Sequence, residues 1–299
     1  MSKKEIRVGL GFSFFDSAKE IPRALDPIYK HFYKLYCVDG RYINYEADHD
    51  LSNDGSCELL EKRYPNAVVE KVKPLFQTEK RQKYLDMAGE DKCDYLIVWD
   101  SDDIVFPSPE CQRWEAFYKN LQRYSKRYPE YRIFKMKSWI PDESVWRKAY
   151  NMNATNSWVP YIRIHKDPGT MRYCLDCHWQ WCPKDATDED IILQKRGFFI
   201  ADHTIDGVRI TTNSFLRGKK QLDTRDNWAW NNICEEQRRL YIKQNAIYYP
   251  QGPDWIPKQL DGYWRYDKTG KPTTKISEED GSPPKQIVQS TKYLKQELQ

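Results

Sequence analysis

Two aspartates one residue apart, Asp100 and Asp102, follow a nearly all-apolar run, Tyr95-Leu96-Ile97-Val98-Trp99. Such a run reads as a strand buried on both faces, which puts the carboxylates just past its C-terminal end. Two carboxylates there can converge on one hard cation. Mg²⁺ or Mn²⁺ takes oxygen ligands of this type and leaves positions for diphosphate oxygens. The same residues also suit an ordinary turn, because Asp and Ser favour strand ends. The location after a buried strand favours the chemical reading.

The elements that must position this pair alternate along the first 128 residues. Arg7 to Phe14 reads as a first buried strand. Ser17 and Glu20 have capping-box spacing for a helix carrying Ile21, Leu25, Ile28 and Phe32, which Pro27 kinks or splits. A second strand runs from Lys34 to Val38 and ends at Asp39-Gly40; a short helix covers Ser56 to Arg63. Ala67 to Val72 is a third strand, and Thr78 to Ala88 a helix before the Asp-x-Asp strand. Ser108-Pro109 then opens a helix with the stripe Trp114, Phe117, Leu121 and Tyr124. This β-α alternation predicts a mainly parallel sheet with helices on both faces, whose ligands bind beyond the carboxyl ends of the strands.

The second half is less regular. Arg132 to Ile140 and Val159 to His165 read as strands, and Thr187 caps a helix ending at Gly197. Phe198 to Ala201 is a further strand and Asp223 to Asn245 a helix; from about Asp267 the chain reads as a tail. The expected organisation is a catalytic domain over residues 1–245, divided at 128 into nucleotide- and acceptor-binding halves, with an extension over 246–299.

Four motifs in order resemble GT-A glycosyltransferases, family 2 in particular, over residues 6–205. The run Asp94 to Asp103, "DYLIVWDSDD", is similar to the family's central motif. "YCVDGRY" places Asp39 where the family has an acidic turn, and "TEKRQKYLDMA" offers Lys80 and Arg81 as a basic pair. "DEDIILQKRGFFIADH" is similar to the later motif that opens a helix with Glu189-Asp190. The resemblance implies an α/β, GT-A type nucleotide-sugar-binding fold. The backbone near Phe12 and Phe14, with Asp39, would hold base and ribose; Lys80 and Arg81 would lie near the nucleotide. Asp100 and Ser101 would contact the donor, and Asp102 with Asp100 and His203 would hold Mn²⁺ or Mg²⁺. Asp190, beside Glu189, would be the base that deprotonates an acceptor hydroxyl, with inversion at the sugar. The chain departs from the pattern at Val38, where the family commonly has a second acid before Asp39.

Each position has a plainer reading. Asp39-Gly40 suits a turn, Lys80 and Arg81 a solvated helix face, and Asp190 the N3 partner of a cap at Thr187. His203 suits a buried structural histidine. Cys174, Cys177, His178 and Cys182 form a cramped but possible structural zinc set. Cys174-x-x-Cys177-His178 also spells a haem-attachment motif, which would need export. Trp179 and Trp181 suit stacking on an acceptor sugar. Gly9-x-Gly11 lacks its third glycine, because position 14 is Phe14. Arg113, Lys119, Arg123, Lys126 and Arg127 read as an exposed helix face, and Arg217 to Lys220 as a basic loop.

A net charge of +4 permits an anionic ligand without demanding nucleic acid. The chain's 11 Trp, 21 Tyr and 11 Phe supply enough apolar surface for a sizeable core. No apolar run reaches signal-peptide or membrane-span length, so a cytoplasmic protein with reduced thiols is expected. The predicted partner is a nucleotide-diphosphate sugar; the acceptor, whether glycan, small molecule or modified nucleic acid, stays open. Two other readings compete: a sugar nucleotidyltransferase, and a zinc-stabilised carbohydrate- or nucleic-acid-binding protein. Against the first, "GFSFFDSAKE" supplies no basic, Gly-rich phosphate loop.

Overall fold

The computed structural model describes residues 6–43, 45, 47–139, 158–173, 181–187, 200–212, 263–266 and 272–276. Two compact units interleave along the chain. The larger takes in Met1–Trp139, Trp158–Asp185 and Arg196–Asn213; the other comprises Ile140–Ser157, Ala186–Lys195 and Ser214–Gln299.

The larger unit is built on β1 (Val8–Phe14), β2 (Lys34–Asp39), β3 (Ala67–Lys71), β4 (Tyr95–Asp100), β5 (Asp103–Val105), β6 (Ile133–Trp139), β7 (Trp158–Lys166) and β10 (Ile200–Thr212). They form one sheet in the order β3-β2-β1-β4-β7-β6-β10-β5. The first four are parallel; β7 is antiparallel to β4 and β6, β10 is parallel to β6, and β5 is antiparallel to β10. The expected α/β class, with a mainly parallel, helix-flanked sheet, is the class observed. A hairpin of β8 (Met171–Tyr173) and β9 (Trp181–Pro183) lies outside this sheet.

The helices α1 (Glu20–Leu25), α2 (Ser56–Arg63), α3 (Gln77–Glu90) and α4 (Trp114–Arg127) sort the core into two clusters. Because strand side chains alternate between faces, Leu10, Phe12 and Phe14 join Cys37, Ile97 and Trp99 in one cluster, with Ile21, Leu60 and Phe117 from the helices. Tyr36, Val38, Leu96 and Val98 join Tyr84, Leu85 and Ala88 of α3 in the other. Gly11 sits beneath α3: a Cβ there would lie 2.6 Å from the ring of Tyr84.

The sheet must also curl. β5 begins three residues after β4 ends, yet stands four strands away in the sheet order. Three residues reach at most about 11 Å, whereas four flat strand spacings span about 19 Å. The curl brings β5 back beside the end of β4.

Several local expectations change. Ser17 does not cap α1 through its side chain: its hydroxyl donates to Phe15 O, and the helix starts at Glu20 on backbone bonds to Ser17 O. Pro27 does split the following segment, since α1 stops at Leu25 and a 3₁₀ turn covers Tyr29–His31. Pro109 opens only a 3₁₀ turn, and α4 begins at Trp114. Of the strand expected at Phe198 to Ala201, Ile200 and Ala201 lie in β10, which runs thirteen residues, and Phe198 and Phe199 lie outside the described residues. In the smaller unit, β11 (Tyr263–Tyr266) and β12 (Pro272–Ile276) pair antiparallel, where the sequence suggested an irregular tail from Asp267. The helices expected at Thr187 to Gly197 and Asp223 to Asn245 lie almost wholly outside the described residues.

Candidate functional site

The order β3-β2-β1-β4 places a topological switch point between β1 and β4, where ligands of open α/β sheets bind. At its carboxyl edge Ser13 of β1 is in register with Asp100 of β4, and Phe14 with Asp39 of β2. The residues expected to bind a donor do therefore share one edge. Alternation sends them to opposite faces of the sheet, however. Asp100 follows Leu96 and Val98 on the face covered by α3, while Asp39 follows Leu35 and Cys37 on the other.

The first turns of α3 bring two cations to that edge, and neither is solvated. Lys80 is 0% and Arg81 3% exposed. The solvated-face reading is overturned by the pattern of the helix itself. Gln77, Arg81, Tyr84 and Ala88 recur at helical spacing on the buried stripe. Lys80 Nζ donates to Phe14 O at 2.5 Å and to Gly40 O, and lies 4.9 Å from the centroid of the Tyr42 ring. It thus ties the ends of β1 and β2 together. Burial pushes the Lys80 ammonium down to about 7, partly offset by Asp39 and reinforced by Arg81. Gly40 suits this joint, since its φ of 139° strains any residue with a Cβ and Val72 O would stand 2.5 Å from one.

Arg81 reaches the other side of the edge. Its guanidinium donates to Asp100 Oδ1 at 2.5 Å and to the Tyr84 hydroxyl at 3.5 Å. Tyr84 and Tyr173 share a hydroxyl hydrogen bond of 2.8 Å beneath it. Burial, with Arg81 nearby, pushes His165 down to about 3, so the imidazole under this cluster is neutral.

The Asp100–Asp103 turn is bound from a second direction by a residue the motifs did not single out. Arg163 of β7 donates to Asp100 Oδ2 at 2.8 Å and to Asp103 Oδ1 at 3.1 Å. Asp103 Oδ2 accepts the Asp100 backbone N–H at 2.8 Å, and Asp103 O accepts Trp99 Nε1 at 3.1 Å. Burial pushes the Asp103 carboxyl above its ordinary value, while the guanidinium of Arg163 pulls it back down and favours the charged form. Arg163 has one sequence signal, a charge flanked by Ile162 and Ile164 in a strand. Only the sheet order shows that this strand is interior and adjacent to β4.

Asp39 has a different set of partners. It is 0% exposed, and it accepts from Ser52 N–H at 3.1 Å, Ser52 Oγ at 2.6 Å and Cys57 Sγ at 3.2 Å. Phe12 and Phe14 are also buried, their rings stacked at 5.9 Å. These side chains organise the edge from within. Ser52, Asn53, Asp54 and Ser56 bond to the turn after β1. Asp16 accepts Asn53 N–H at 3.1 Å and pairs with His49 Nε2 at 2.8 Å, while His49 Nδ1 lies 2.5 Å from Asp48 and its ring stacks on Phe15. Asp48 first, then Asp16, pull the His49 pKa above its ordinary value.

Ser101 and Asp102 are half-buried at the tip of the turn. Their chemistry fits a hard divalent cation held by one protein carboxylate together with a ligand's phosphate oxygens, the usual form of a Mg²⁺ site. Asp100 is less suited to ligation, since an arginine is bonded to each of its oxygens. Among the described residues no group of three His, Cys, Asp or Glu is arranged to hold a metal. The backbone of His203 lies in β10 next to Thr204, which is in register with Lys135; Thr211, in register with Trp139, is four β6 residues further on. That is about 13 Å along the sheet, and β10 meets Asp103 only at Thr212. The register therefore does not bring His203 to the turn. Glu189, Asp190, Trp179, Cys174, Cys177 and His178 lie outside the described residues. Cys182 is buried in β9, where the backbone of Trp181 also lies. Among the described residues no helix is long and apolar enough to cross a membrane.

No protein-family model matches the chain, and no curated protein does. Among solved structures it is similar to a glucosyl-3-phosphoglycerate synthase from Mycobacterium tuberculosis in complex with Mn²⁺, UDP and glucosyl-3-phosphoglycerate. The identity is 11%, over 87% of this chain and 84% of that one, with a TM-score of 0.42. It is also similar to a putative glucose-1-phosphate thymidylyltransferase from Bacillus anthracis in complex with a sucrose. There the identity is 8%, over 78% of this chain and 99% of that one, with a TM-score of 0.37. Scores this low record a likeness in outline and establish neither a family nor a reaction.

Proposed function

We propose that this chain is a glycosyltransferase that moves a sugar from a nucleotide-diphosphate donor to an acceptor hydroxyl with the help of Mn²⁺ or Mg²⁺. The observation that carries this reading is the switch-point edge: Asp100 closes β4 opposite Ser13, fixed by buried Arg81 and Arg163, with Asp102 half-buried beyond it. A donor diphosphate laid across this edge meets Asp102 at the tip of the turn. A bound cation supplies electrostatic stabilisation of the charge that develops on the leaving diphosphate. Asp102 would hold that ion through a carboxylate oxygen. Asp100 orients the turn and faces the donor, while Lys80 keeps the ends of β1 and β2 in place. Asp190, carried from the sequence motif, takes the acceptor hydroxyl proton as the new bond forms from the face opposite the diphosphate. The acceptor is a glycan, a small molecule or a modified nucleic acid.

Thermal unfolding in a panel of nucleotide sugars, with and without Mn²⁺, tests this. A ligand of the native state at a hundred times its Kd adds about 2.7 kcal/mol. The expected result is a rise in Tm with one nucleotide class, dependent on Mn²⁺ and lost in Asp102→Asn. Incubation of the recognised donor with acceptors should then release a nucleoside diphosphate. Release of pyrophosphate from a nucleoside triphosphate and a sugar phosphate would instead make the protein a nucleotidyltransferase. No shift with any nucleotide overturns the donor reading.

A further inference from the structure

The Asp100–Asp103 turn contains three acidic side chains within four residues, whose charges repel one another. Besides Arg81 of α3, a second cation reaches the turn from β7, which the chain inserts antiparallel beside β4. Leu96 is in register with His165 and Ile97 with Ile164. Alternation therefore sends Arg163 and His165 to the α3 face, the face that also receives Asp100. The Arg163 side chain is 4% exposed and its fork spans two carboxylates, Asp100 at 2.8 Å and Asp103 at 2.9 Å. Asp103 in turn accepts the Asp100 N–H, so cation, both acids and the backbone of the turn form one closed loop of bonds.

Buried ion pairs of this sort contribute little net stability, because desolvation cancels most of the attraction. What the planar guanidinium contributes is geometry, since it bonds two acceptors at a fixed separation, which a point-charge lysine does not. We propose that Arg163 is a positioning residue of the donor site: by bridging Asp100 and Asp103 it sets the turn in the shape from which Asp102 meets the cation and diphosphate. This inference rests on the donor-site reading above and deepens it. Arg81 holds the other oxygen of Asp100, at 2.5 Å, from the side of α3.

The test compares wild type, Arg163→Lys and Asp103→Asn for UDP affinity by calorimetry without metal, and for Mn²⁺ affinity by electron paramagnetic resonance with saturating UDP. GDP, TDP, CDP and ADP replace UDP if the wild type prefers another base. Arg163→Lys keeps the charge and loses the bridge. The expected result is a loss in Mn²⁺ affinity of about tenfold or more, with metal-free nucleotide affinity changed less than threefold. Asp103→Asn leaves one acceptor oxygen where Arg163 and the Asp100 N–H now use two, so it weakens the other end of the bridge and should show the same metal-selective loss; it decides alone if Arg163→Lys does not fold. Unchanged Mn²⁺ affinity in the folded variants overturns the positioning role and leaves the donor reading standing. A parallel loss of nucleotide and metal affinity also overturns it, since that marks a general structural effect. If wild type binds Mn²⁺ with none of the five nucleotides, the donor reading falls and takes this inference with it.

Discussion

At Gly11 a single methyl group would reach the site. A Cβ there would stand 2.6 Å from Tyr84 Cδ2 and 2.9 Å from Cγ, atoms of a ring that is itself fully buried. Tyr84 cannot swing away freely, because its hydroxyl is bonded to Tyr173 and approached by Arg81. Gly11→Ala therefore overpacks a rigid point, at a cost of about 1–3 kcal/mol. The displaced ring should carry Arg81 away from Asp100. Chemical denaturation should show the destabilisation, and donor binding should weaken further than a distant substitution of equal cost. A variant as stable as wild type would mean that the ring has room to move. Gly9-x-Gly11 thus has a use unrelated to a dinucleotide loop, since both glycines admit large rings, Tyr36 at Gly9 and Tyr84 at Gly11.

Among the elements, the loop between β2 and α2 is held to the edge by many polar bonds, with His49 and Tyr45 also packing on Phe15. Ile43, Tyr45 and Leu51 are exposed, whereas Asp16, Asp39, Ser52, Asp54 and Ser56 link the loop to the turn after β1. His49 sits between Asp48 and Asp16, and both raise its pKa. A raised histidine stabilises its surroundings fully below the unfolded value of 6.5, and the contribution is lost as pH climbs through the higher folded value. Hydrogen exchange at the Asn53 amide, which bonds to Asp16, should therefore accelerate with pH beyond its intrinsic rise. His49→Gln should abolish that extra step, and an identical profile in the variant would remove His49 from the holding of the loop. None of this was legible in sequence, because the partners of Asp16 are more than 30 residues away. The parallel half of the sheet was legible, because β1, β2 and β4 are short apolar runs separated by helix-period segments. So was the placing of Asp100 and Asp102 at a strand end. The pairing of β4 with β7 was not, since it joins residues more than 65 apart through an antiparallel contact that no local pattern announces. Arg163 was missed for that reason. For Lys80 and Arg81 the alternative of a solvated helix face came from their charge, while their spacing from Tyr84, Leu85 and Ala88 pointed inward.

On the scale of the whole molecule, that inward charge should appear in global stability. Lys80 is fully buried, with its ammonium between two carbonyls, and its pKa falls from 10.5 to about 7. Between those values the unfolded chain binds a proton that the folded chain does not, so this residue makes stability rise with pH. The cost of burying the charge is fully present below about 7 and is relieved as pH approaches 10.5. Buried tyrosines and cysteines act in the opposite sense. Burial raises Tyr36, Tyr84 and Cys37, so they oppose unfolding less as the unfolded chain begins to ionise near pH 9 to 10. Wild type alone would blend the two effects, and a difference measurement separates them. Lys80→Met keeps most of the volume and removes the titration. Urea unfolding from pH 7 to 9 should show wild type gaining about 1 kcal/mol per pH unit relative to Lys80→Met. The variant should be the less stable of the two at pH 9, where the amine is neutral in the native state but still bonds Phe14 O and Gly40 O. Parallel curves would mean that the Lys80 proton stays on in the folded protein, held by Asp39 and the two carbonyls, and that the joint between β1 and β2 is cationic throughout.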